Sequence, residues 1–227
     1  MNEDQLAKVG LFGGTFDPIH FGHLRAAEEL REMLGLEKIY FVPTSVPPHK
    51  TIPPDAASPH HRLRMLELAV NGNIFFNISD IEIKRGGKSY TIDTLRYFSD
   101  TFPLFDLYFI AGSDLFSEID SWKDYKKIFR ESNFAVIERP GFGFELPGPL
   151  PLEIKDDFRY YKRYNNLTLY INKNSKTLSL VKIDGLEISS TKIRELVKKF
   201  KSIKYLVPSD VEAYILEHGI YNKEVVK

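Results

Sequence analysis

Short apolar segments alternate with amphipathic ones over the first three-quarters of the chain. This alternation is typical of a parallel sheet flanked by helices. The predicted strands are the apolar runs at residues 9–12, 39–42, 74–78, 107–111 and 134–137. The sequence therefore predicts an α/β fold with a doubly wound, mostly parallel, Rossmann-like sheet whose ligands bind at the carboxyl ends of the strands.

Three amphipathic stretches are predicted helices between these strands. The first begins near Leu24 and repeats leucine and alanine at helical spacing. The second begins at the pair Ser58-Pro59, a good cap followed by a good first position. The third covers residues 91–102. Because each helix follows a strand, the loops between them are expected to meet at one edge of the sheet.

The segment 142–183 departs from this alternation. Apolar and polar residues alternate over 167–171 and 177–183 around a polar turn, which predicts a β-hairpin. Lys and Arg are interleaved here with aromatic residues such as Tyr160 and Tyr164. A basic aromatic surface can bind single-stranded nucleic acid. The favoured interpretation is a solvated insert that packs its aromatic side chains on the domain.

Composition narrows the class of protein. The 227 residues suit one domain, here with a core of about 8–141 and 184–222 and an insert of about 142–183. The net charge is zero, so no general affinity for nucleic acid or acidic membranes is expected. The chain has no cysteine, which excludes disulfides, cysteine-zinc sites and a thiol nucleophile.

The first residues are polar and acidic, unlike a signal peptide, and no apolar run approaches the ~20 residues of a membrane span. The cytoplasm is the expected location, without membrane contact. A monomer and a homo-oligomer are both compatible with the sequence.

The most informative segment, residues 13–23, has the sequence G-G-T-F-D-P-I-H-F-G-H. Gly13 and Gly14 are expected to form a turn after the first strand, where the backbone can approach a ligand closely. His20 and His23 lie near a helix N-terminus, where unpaired N–H groups and the helix dipole attract anions. The segment therefore predicts a polyphosphate site.

Two metal-binding interpretations of this segment have less support than the polyphosphate site. Asp17 is interpreted as a turn residue before Pro18, although a role as a metal ligand stays open. The two histidines have no cysteine or intervening glutamate to complete a zinc site.

A second anion-binding pattern lies at residues 188–194, I-S-S-T-K-I-R. Ser189, Ser190 and Thr191 stand at a predicted helix start, where Ser and Thr are common caps. Arg194 follows one turn later on the same helix. Hydroxyl groups, amides and a guanidinium at one helix end would form a second phosphate site.

The two patterns together resemble the signatures of the H-x-G-H nucleotidyltransferases. Four further stretches are similar to those of the bacterial nicotinate-nucleotide adenylyltransferases: V-P-P-H-K at 46–50, K-S-Y-T-I-D-T-L at 88–95, G-S-D at 112–114 and R-P-G at 139–141. The resemblance covers most of residues 8–141 and 184–222.

The resemblance implies a reaction. Nicotinate mononucleotide would attack the α-phosphorus of ATP directly, giving nicotinate adenine dinucleotide and pyrophosphate in NAD biosynthesis without a covalent intermediate. Catalysis would come from positioning and from charge stabilisation. Mg²⁺ is expected, held mainly through the ATP phosphates rather than by protein ligands.

The resemblance also implies the site. Catalytic roles fall to His20, His23 and Arg194. The ATP site comprises Gly13, Gly14, Thr15, Phe16, Gly112, Asp114, Ser189, Ser190, Thr191 and Arg194. In the mononucleotide site, the backbone amides at Tyr90 and Thr91 receive the nicotinate carboxylate, Trp122 stacks on the pyridine ring, and His49, Lys50 and Arg139 hold the phosphate. For these last three, solvated loop positions are equally compatible with the sequence.

Other functions remain open. The alternative acceptors are nicotinamide mononucleotide, alone or beside the acid, phosphopantetheine, and another phosphate monoester. A different class is a non-catalytic nucleotide sensor on the same fold, although such a sensor has no need of both phosphate sites.

Overall fold

One mixed sheet organises the computed structural model, which describes residues 6–48, 52–138 and 150–222. Its strands are β1 (Ala7–Gly14), β2 (Lys38–Pro43), β3 (Phe76–Ile78), β4 (Phe105–Gly112), β5 (Asn133–Glu138), β6 (Phe158–Tyr164), β7 (Leu167–Asn172) and β8 (Thr177–Lys182). The helices are α1 (Phe21–Leu34), α2 (Pro59–Val70), α3 (Ile81–Arg85), α4 (Thr91–Thr101), α5 (Ser113–Phe116), α6 (Tyr125–Glu131), α7 (Ser190–Lys198) and α8 (Ser209–Glu217). A short 3-10 helix covers Ile119–Ser121.

The strand order is β3-β2-β1-β4-β5-β8-β7-β6. The first six strands of this order pair in parallel, and β7 and β6 are antiparallel additions at one edge. This arrangement confirms the predicted doubly wound, mostly parallel sheet. The order reverses between β1 and β4, and ligands of such sheets bind outside the carboxyl ends of the strands at that point.

The predicted hairpin is confirmed as β7 and β8, but β8 has a second partner. Phe134 of β5 lies opposite Leu178 of β8 in parallel register. Leu178 and Leu180 are fully buried in β8, as expected for an interior strand of a parallel sheet. The hairpin is thus continuous with the sheet.

Strand β6 was not predicted, and it leaves most of its side chains in solvent. Phe158 is buried, but Tyr160, Tyr161 and Tyr164 are 60%, 58% and 69% exposed. The expectation that the aromatic residues of this segment pack on the domain is therefore wrong for these three tyrosines. They lie on the edge strand of the sheet, over which residues 6–48, 52–138 and 150–222 place no further layer.

Each face of the sheet carries its own core. One core, containing Phe12 and Phe41, lies beneath α1, α2, α7 and α8. The other, containing Leu11 and Phe134, lies beneath α4 and α6. Leu11 and Phe12 are consecutive residues of β1 and face opposite sides, as strand geometry requires. Burial on both faces leaves the strand ends as the place for a ligand.

The three helices predicted between strands correspond to α1, α2 and α4, and the helix predicted after Ser189 is α7, whereas α3, α5 and α6 were not predicted. Helix α2 begins where the sequence indicates, since the Ser58 hydroxyl accepts a 3.3 Å hydrogen bond from the backbone N–H of His61. None of the helices in the described ranges combines the length and apolar character that a membrane crossing demands.

Candidate active site

Gly13 and Gly14 are the last two residues of β1, where a turn was expected. They pair with Val42 and Pro43 of β2. A Cβ atom added at Gly14 would lie 2.8 Å from the ring of Phe16. The second glycine therefore makes room for the Phe16 ring, which folds back over the strand end from a left-handed backbone (φ +50°).

His20 and His23 stand together at the N-terminus of α1. His20 is the N-cap residue, and its Nδ1 accepts a 3.3 Å hydrogen bond from the backbone N–H of His23. The acceptor role of Nδ1 assigns the proton of the neutral ring to Nε2. The two imidazole rings stack with centroids 3.7 Å apart. The cap thus fixes both rings at the positive end of the helix.

Aromatic packing holds this pair in place. The ring of Phe16 meets the His23 ring edge-on at 5.2 Å, and Phe12 does so at 6.3 Å. His20 is only 4% exposed. Both imidazoles therefore have little freedom to rotate, which suits groups that must present hydrogen-bond donors in a fixed direction.

The second predicted motif meets the first. The Ser190 hydroxyl donates a 2.9 Å hydrogen bond to the carbonyl oxygen of Pro18, and Arg194 Nη1 donates one of 2.7 Å to the carbonyl oxygen of Asp17. Ser190 and Thr191 are the first residues of α7, so their N–H groups have no acceptor within the helix. The N-termini of α1 and α7 therefore lie beside each other, as the two predicted phosphate motifs require.

Two carboxylates balance the charge of Arg194, whose side chain is 12% exposed. Its Nη1 lies 3.8 Å from Asp17 Oδ2, and its Nε lies 3.6 Å from Asp55 Oδ2. Lys198 Nζ binds the same Asp55 oxygen at 2.6 Å. The hydrogen bond from Lys198 holds the pKa of the Asp55 carboxyl below its usual value. A phosphate bound here would therefore compete with the Asp55 carboxylate for Arg194 and Lys198.

Asp17 is a structural carboxylate. It is 4% exposed, and its Oδ1 accepts hydrogen bonds from the backbone N–H of Ala57 at 3.0 Å and from the Tyr221 hydroxyl at 2.7 Å. Burial, followed by the charge of Asp17, raises the pKa of the Tyr221 hydroxyl, so it stays a donor. These contacts hold Asp17 in place, and with it the backbone carbonyl that accepts the hydrogen bond from Arg194.

A third helix N-terminus, that of α4, lies on the other side of the strand ends. Tyr90 is its cap residue, and its side chain makes no capping hydrogen bond. The preceding Ser89 binds the loop after β2: its Oγ accepts from the backbone N–H of Ser45 at 2.9 Å, and its own N–H donates to Val46 at 2.9 Å. The α4 amides at Tyr90 and Thr91 are thereby fixed relative to that loop.

A buried acid supports this N-terminus. Glu82 is 6% exposed and accepts a 2.7 Å hydrogen bond from the Thr94 hydroxyl. Burial raises the pKa of the Glu82 carboxyl, while hydrogen bonds from Thr94 and Ser89 oppose the rise. Sequence reasoning gave Glu82 no role.

Trp122 lies half-buried on the same face of the sheet as Tyr90. Its ring meets Phe109 edge-on at 5.9 Å and lies 6.2 Å from Phe134. The ammonium of Lys123 lies 4.7 Å from the centre of the Tyr90 ring. The indole ring of Trp122 thus packs on Phe109 and Phe134, while part of its surface stays accessible to solvent.

The predicted ribose contacts follow β4, next to β1 at the reversal of strand order. Gly112 caps the short helix α5, which Ser113 and Asp114 begin. Asp114 Oδ1 is buried and has no hydrogen-bond partner within the described residues. His49, Lys50 and Arg139 lie outside the described residues. In those described ranges, no group of three or more His, Cys, Asp or Glu side chains is arranged to hold a metal ion.

Arg62 of α2 is a buried residue that the sequence analysis missed. It is 3% exposed and donates to the carbonyl oxygens of Thr15 at 2.7 Å, Ser45 at 3.2 Å and Ala57 at 3.3 Å. Burial lowers the pKa of its guanidinium. A sequence signal existed, because position 62 stands three residues before the buried Met65 on the apolar stripe of α2.

Comparison with known proteins agrees with this geometry. The model of the cytidylyltransferase-like family matches residues 11–196. Two curated relatives, from Geotalea uraniireducens and Geotalea daltonii, are each named probable nicotinate-nucleotide adenylyltransferase. Each is 45% identical over 218 residues, covering 95% of this chain and 98% of the relative.

Solved structures share the fold. The Plasmodium falciparum nicotinic acid mononucleotide adenylyltransferase complexed with NaAD superposes with a TM-score of 0.71 at 23% identity, covering 96% of this chain and 98% of that one. The chain belongs to the cytidylyltransferase-like family, in the branch whose members are named nicotinate-nucleotide adenylyltransferase.

Proposed function

We propose that this protein transfers the adenylyl group of ATP to nicotinate mononucleotide, giving nicotinate adenine dinucleotide and pyrophosphate in NAD biosynthesis. The observation that carries the proposal is the junction of two helix N-termini. Hydrogen bonds from Ser190 to Pro18 and from Arg194 to Asp17 join them beside the stacked histidines. The names of the curated relatives support the same reaction.

In this proposal the triphosphate lies across the two N-termini. His20 and His23 donate to oxygens around the α-phosphorus and to the bridging oxygen of the leaving group. Arg194 binds the β- and γ-phosphates after its contact with Asp55 is exchanged for phosphate oxygens. The rest of the ATP site comprises the backbone and side chains of Gly13, Gly14, Thr15, Phe16, Gly112, Asp114, Ser189, Ser190 and Thr191.

The chemistry is one in-line displacement. An oxygen of the mononucleotide 5′-phosphate forms a bond to the α-phosphorus as the bond from that phosphorus to the bridging oxygen breaks. The attacking oxygen is already an anion, so the site needs no nucleophilic side chain and no strong base. The protein contributes alignment of the two phosphates and donors aimed at the departing charge.

Mg²⁺ would accompany the triphosphate and neutralise charge on its oxygens. Cations and N–H groups, which bind phosphate rather than metal, lie in this region, and the described residues offer no cluster of three or more His, Cys, Asp or Glu, so the ATP phosphates themselves would hold the Mg²⁺. Asp17 is an unsuitable ligand because its carboxylate already serves Ala57 and Tyr221.

The N-terminus of α4 would select the acid. Backbone N–H groups at Tyr90 and Thr91 would donate hydrogen bonds to a carboxylate. The NH₂ of a carboxamide is itself a donor and cannot accept these hydrogen bonds. A charge-assisted hydrogen bond worth ~1.5–3 kcal/mol gives about 10–150-fold discrimination. Trp122 would stack on the pyridine ring, and His49, Lys50 and Arg139 would hold the mononucleotide phosphate.

We also propose a single nucleotidyltransferase domain acting in the cytoplasm. One sheet includes strands from both the predicted core and the segment 142–183, which supports one domain rather than two.

The proposal is tested by product analysis. Purified protein is incubated with Mg-ATP with and without nicotinate mononucleotide, and pyrophosphate and dinucleotide are quantified together. The proposed enzyme forms both products in equal amounts and only when the mononucleotide is present. Binding of ATP without any product from this or another phosphate acceptor would instead indicate a nucleotide sensor.

A further inference from the structure

Arg62 joins the two loops that follow β1 and β2 at the carboxyl ends of the strands, binding the second loop near both of its ends. Its guanidinium reaches Thr15 after β1, Ser45 after β2, and Ala57 before α2. All three acceptors are backbone carbonyl oxygens, so the side chain fixes loop backbone rather than loop side chains. A planar guanidinium can serve three acceptors in fixed directions, which a lysine ammonium cannot do from the same position.

One branch of this network leads to the proposed ATP subsite. Ala57, whose carbonyl Arg62 binds, donates its own N–H to Asp17 Oδ1 at 3.0 Å. The Tyr221 hydroxyl donates to the same oxygen at 2.7 Å. The Asp17 carbonyl in turn accepts from Arg194. The position of Arg194 is therefore connected to Arg62 through buried hydrogen bonds.

The other branch leads to the proposed nicotinate subsite. Ser45, whose carbonyl Arg62 binds, donates its N–H to Ser89 Oγ at 2.9 Å. Ser89 directly precedes Tyr90 and Thr91, whose amides would receive the carboxylate. Arg62 is thus the residue at which the two branches meet.

We propose that Arg62 is a positioning residue that sets the ATP and mononucleotide subsites at the separation required for in-line attack. The residue is 3% exposed and its guanidinium binds carbonyl oxygens of the protein, so it acts through the loops that it holds. The inference rests on the proposed function, because the two subsites are those of the adenylyl transfer. An alignment error of about 1 Å costs on the order of 100-fold in rate even when both substrates are bound.

Different variants should therefore separate binding from alignment. Arg62→Lys keeps the charge but cannot hold all three carbonyls, so kcat should fall about 10- to 100-fold. The Kd of each nucleotide measured alone should change much less, because each subsite keeps its own contacts. Ser89→Ala should weaken mononucleotide binding and spare ATP, and Tyr221→Phe should do the reverse.

The experiment combines calorimetric Kd values for each nucleotide alone with steady-state kcat and thermal midpoints for the wild type and four variants. The fourth is Arg64→Lys, a matched control on the same helix whose arginine is exposed and bound to Glu67. It should match the wild type in every readout. A purely structural Arg62 would lower the thermal midpoint of Arg62→Lys while leaving kcat per folded molecule unchanged, and that result would overturn the proposal.

Two further outcomes are decisive. If Arg62→Lys does not fold, Ser89→Ala and Tyr221→Phe still test the two branches, and identical effects of both variants on both nucleotides would contradict the network. If the wild-type protein binds both nucleotides but releases no pyrophosphate, the proposed function fails. In that case the role of Arg62 is tested through the coupling between the two binding sites. Occupancy by one nucleotide should alter the Kd of the other in the wild type and not in Arg62→Lys.

Discussion

The Ser190 hydroxyl donates a 2.9 Å hydrogen bond to the carbonyl oxygen of Pro18, although the two residues lie 172 positions apart. Ser190 begins α7, and Pro18 lies two residues before the cap of α1. The contact brings the two helix N-termini together, so the proposed anion site requires both segments to be folded.

The histidine pair should dominate the chemical step. His23→Ala removes a donor aimed at the leaving group, and kcat should fall roughly 10²–10³-fold, as for loss of one oxyanion-hole donor. His60→Ala replaces an exposed histidine of α2 and should keep full activity. Steady-state pyrophosphate release measures both variants. Near-normal turnover by His23→Ala would remove His23 from the mechanism.

Backbone recognition of the carboxylate can be tested by deleting one N–H. Thr91 is the first residue of α4, a position that tolerates proline, and Tyr90 has the extended backbone (φ −93°, ψ 128°) preferred before proline. Thr91→Pro should lower kcat/KM for nicotinate mononucleotide about 10- to 150-fold.

The matched control is Thr91→Ala, which loses the side chain and keeps the N–H. It should stay within a few-fold of the wild type, whereas activity with the nicotinamide compound should be insensitive to either change. If Thr91→Ala were as damaging as Thr91→Pro, the hydroxyl rather than the amide would be the recognition group.

The chain contains one tryptophan, which makes its fluorescence a specific probe of the pyridine subsite. Nicotinate mononucleotide should quench Trp122 by stacking, and ATP alone should not. Trp122→Leu removes the aromatic ring and should raise KM for the mononucleotide about 5-fold, since a stacked aromatic pair contributes roughly 1 kcal/mol. Unchanged fluorescence at saturating mononucleotide would exclude the stacked arrangement.

Glu82 should leave a signature in the pH dependence of stability. Burial raises the pKa of its carboxyl above the usual 4.5, so the folded state holds its proton to a higher pH than the unfolded state. The stabilising contribution is therefore fully present below about pH 4.5 and is lost as the pH rises through the folded pKa.

Thermal midpoints of the wild type and Glu82→Gln between pH 4 and 8 test this. The wild type should lose stability relative to Glu82→Gln as the pH rises. Glu67→Gln, on the exposed face of α2, should follow the wild-type profile. A constant difference between wild type and Glu82→Gln across the range would show that Glu82 titrates normally.

Local patterns were enough to predict the parallel sheet and the two phosphate motifs. Apolar runs marked β1, β2, β4 and β5, and the cap pair Ser58-Pro59 marked the start of α2. Strand β6 was not predicted because only its first side chain, Phe158, is buried. The strand therefore lacks the alternation of apolar and polar residues that marks a half-buried strand. The pairing of β8 with β5 was not predicted because strands that are distant in the sequence leave no local pattern of their pairing.

The polar network beneath the site was less accessible to sequence reasoning. A charged residue such as Arg62 is usually solvated, and only the folded arrangement brings three carbonyl oxygens to its guanidinium. Tyr221 likewise acquires its role from Asp17, 204 positions away. The motifs predicted candidate ligand-binding residues, whereas the residues that hold those motifs in place are brought together by long-range packing.

The central claim is tested most directly by comparing kcat/KM for nicotinate mononucleotide and nicotinamide mononucleotide with Mg-ATP at saturation, using pyrophosphate release. The account predicts a preference for the acid of about 10-fold or more, the discrimination expected from one charge-assisted hydrogen bond at the N-terminus of α4. Equal values for the two mononucleotides would contradict carboxylate recognition there, and no release with either would contradict the proposed reaction itself.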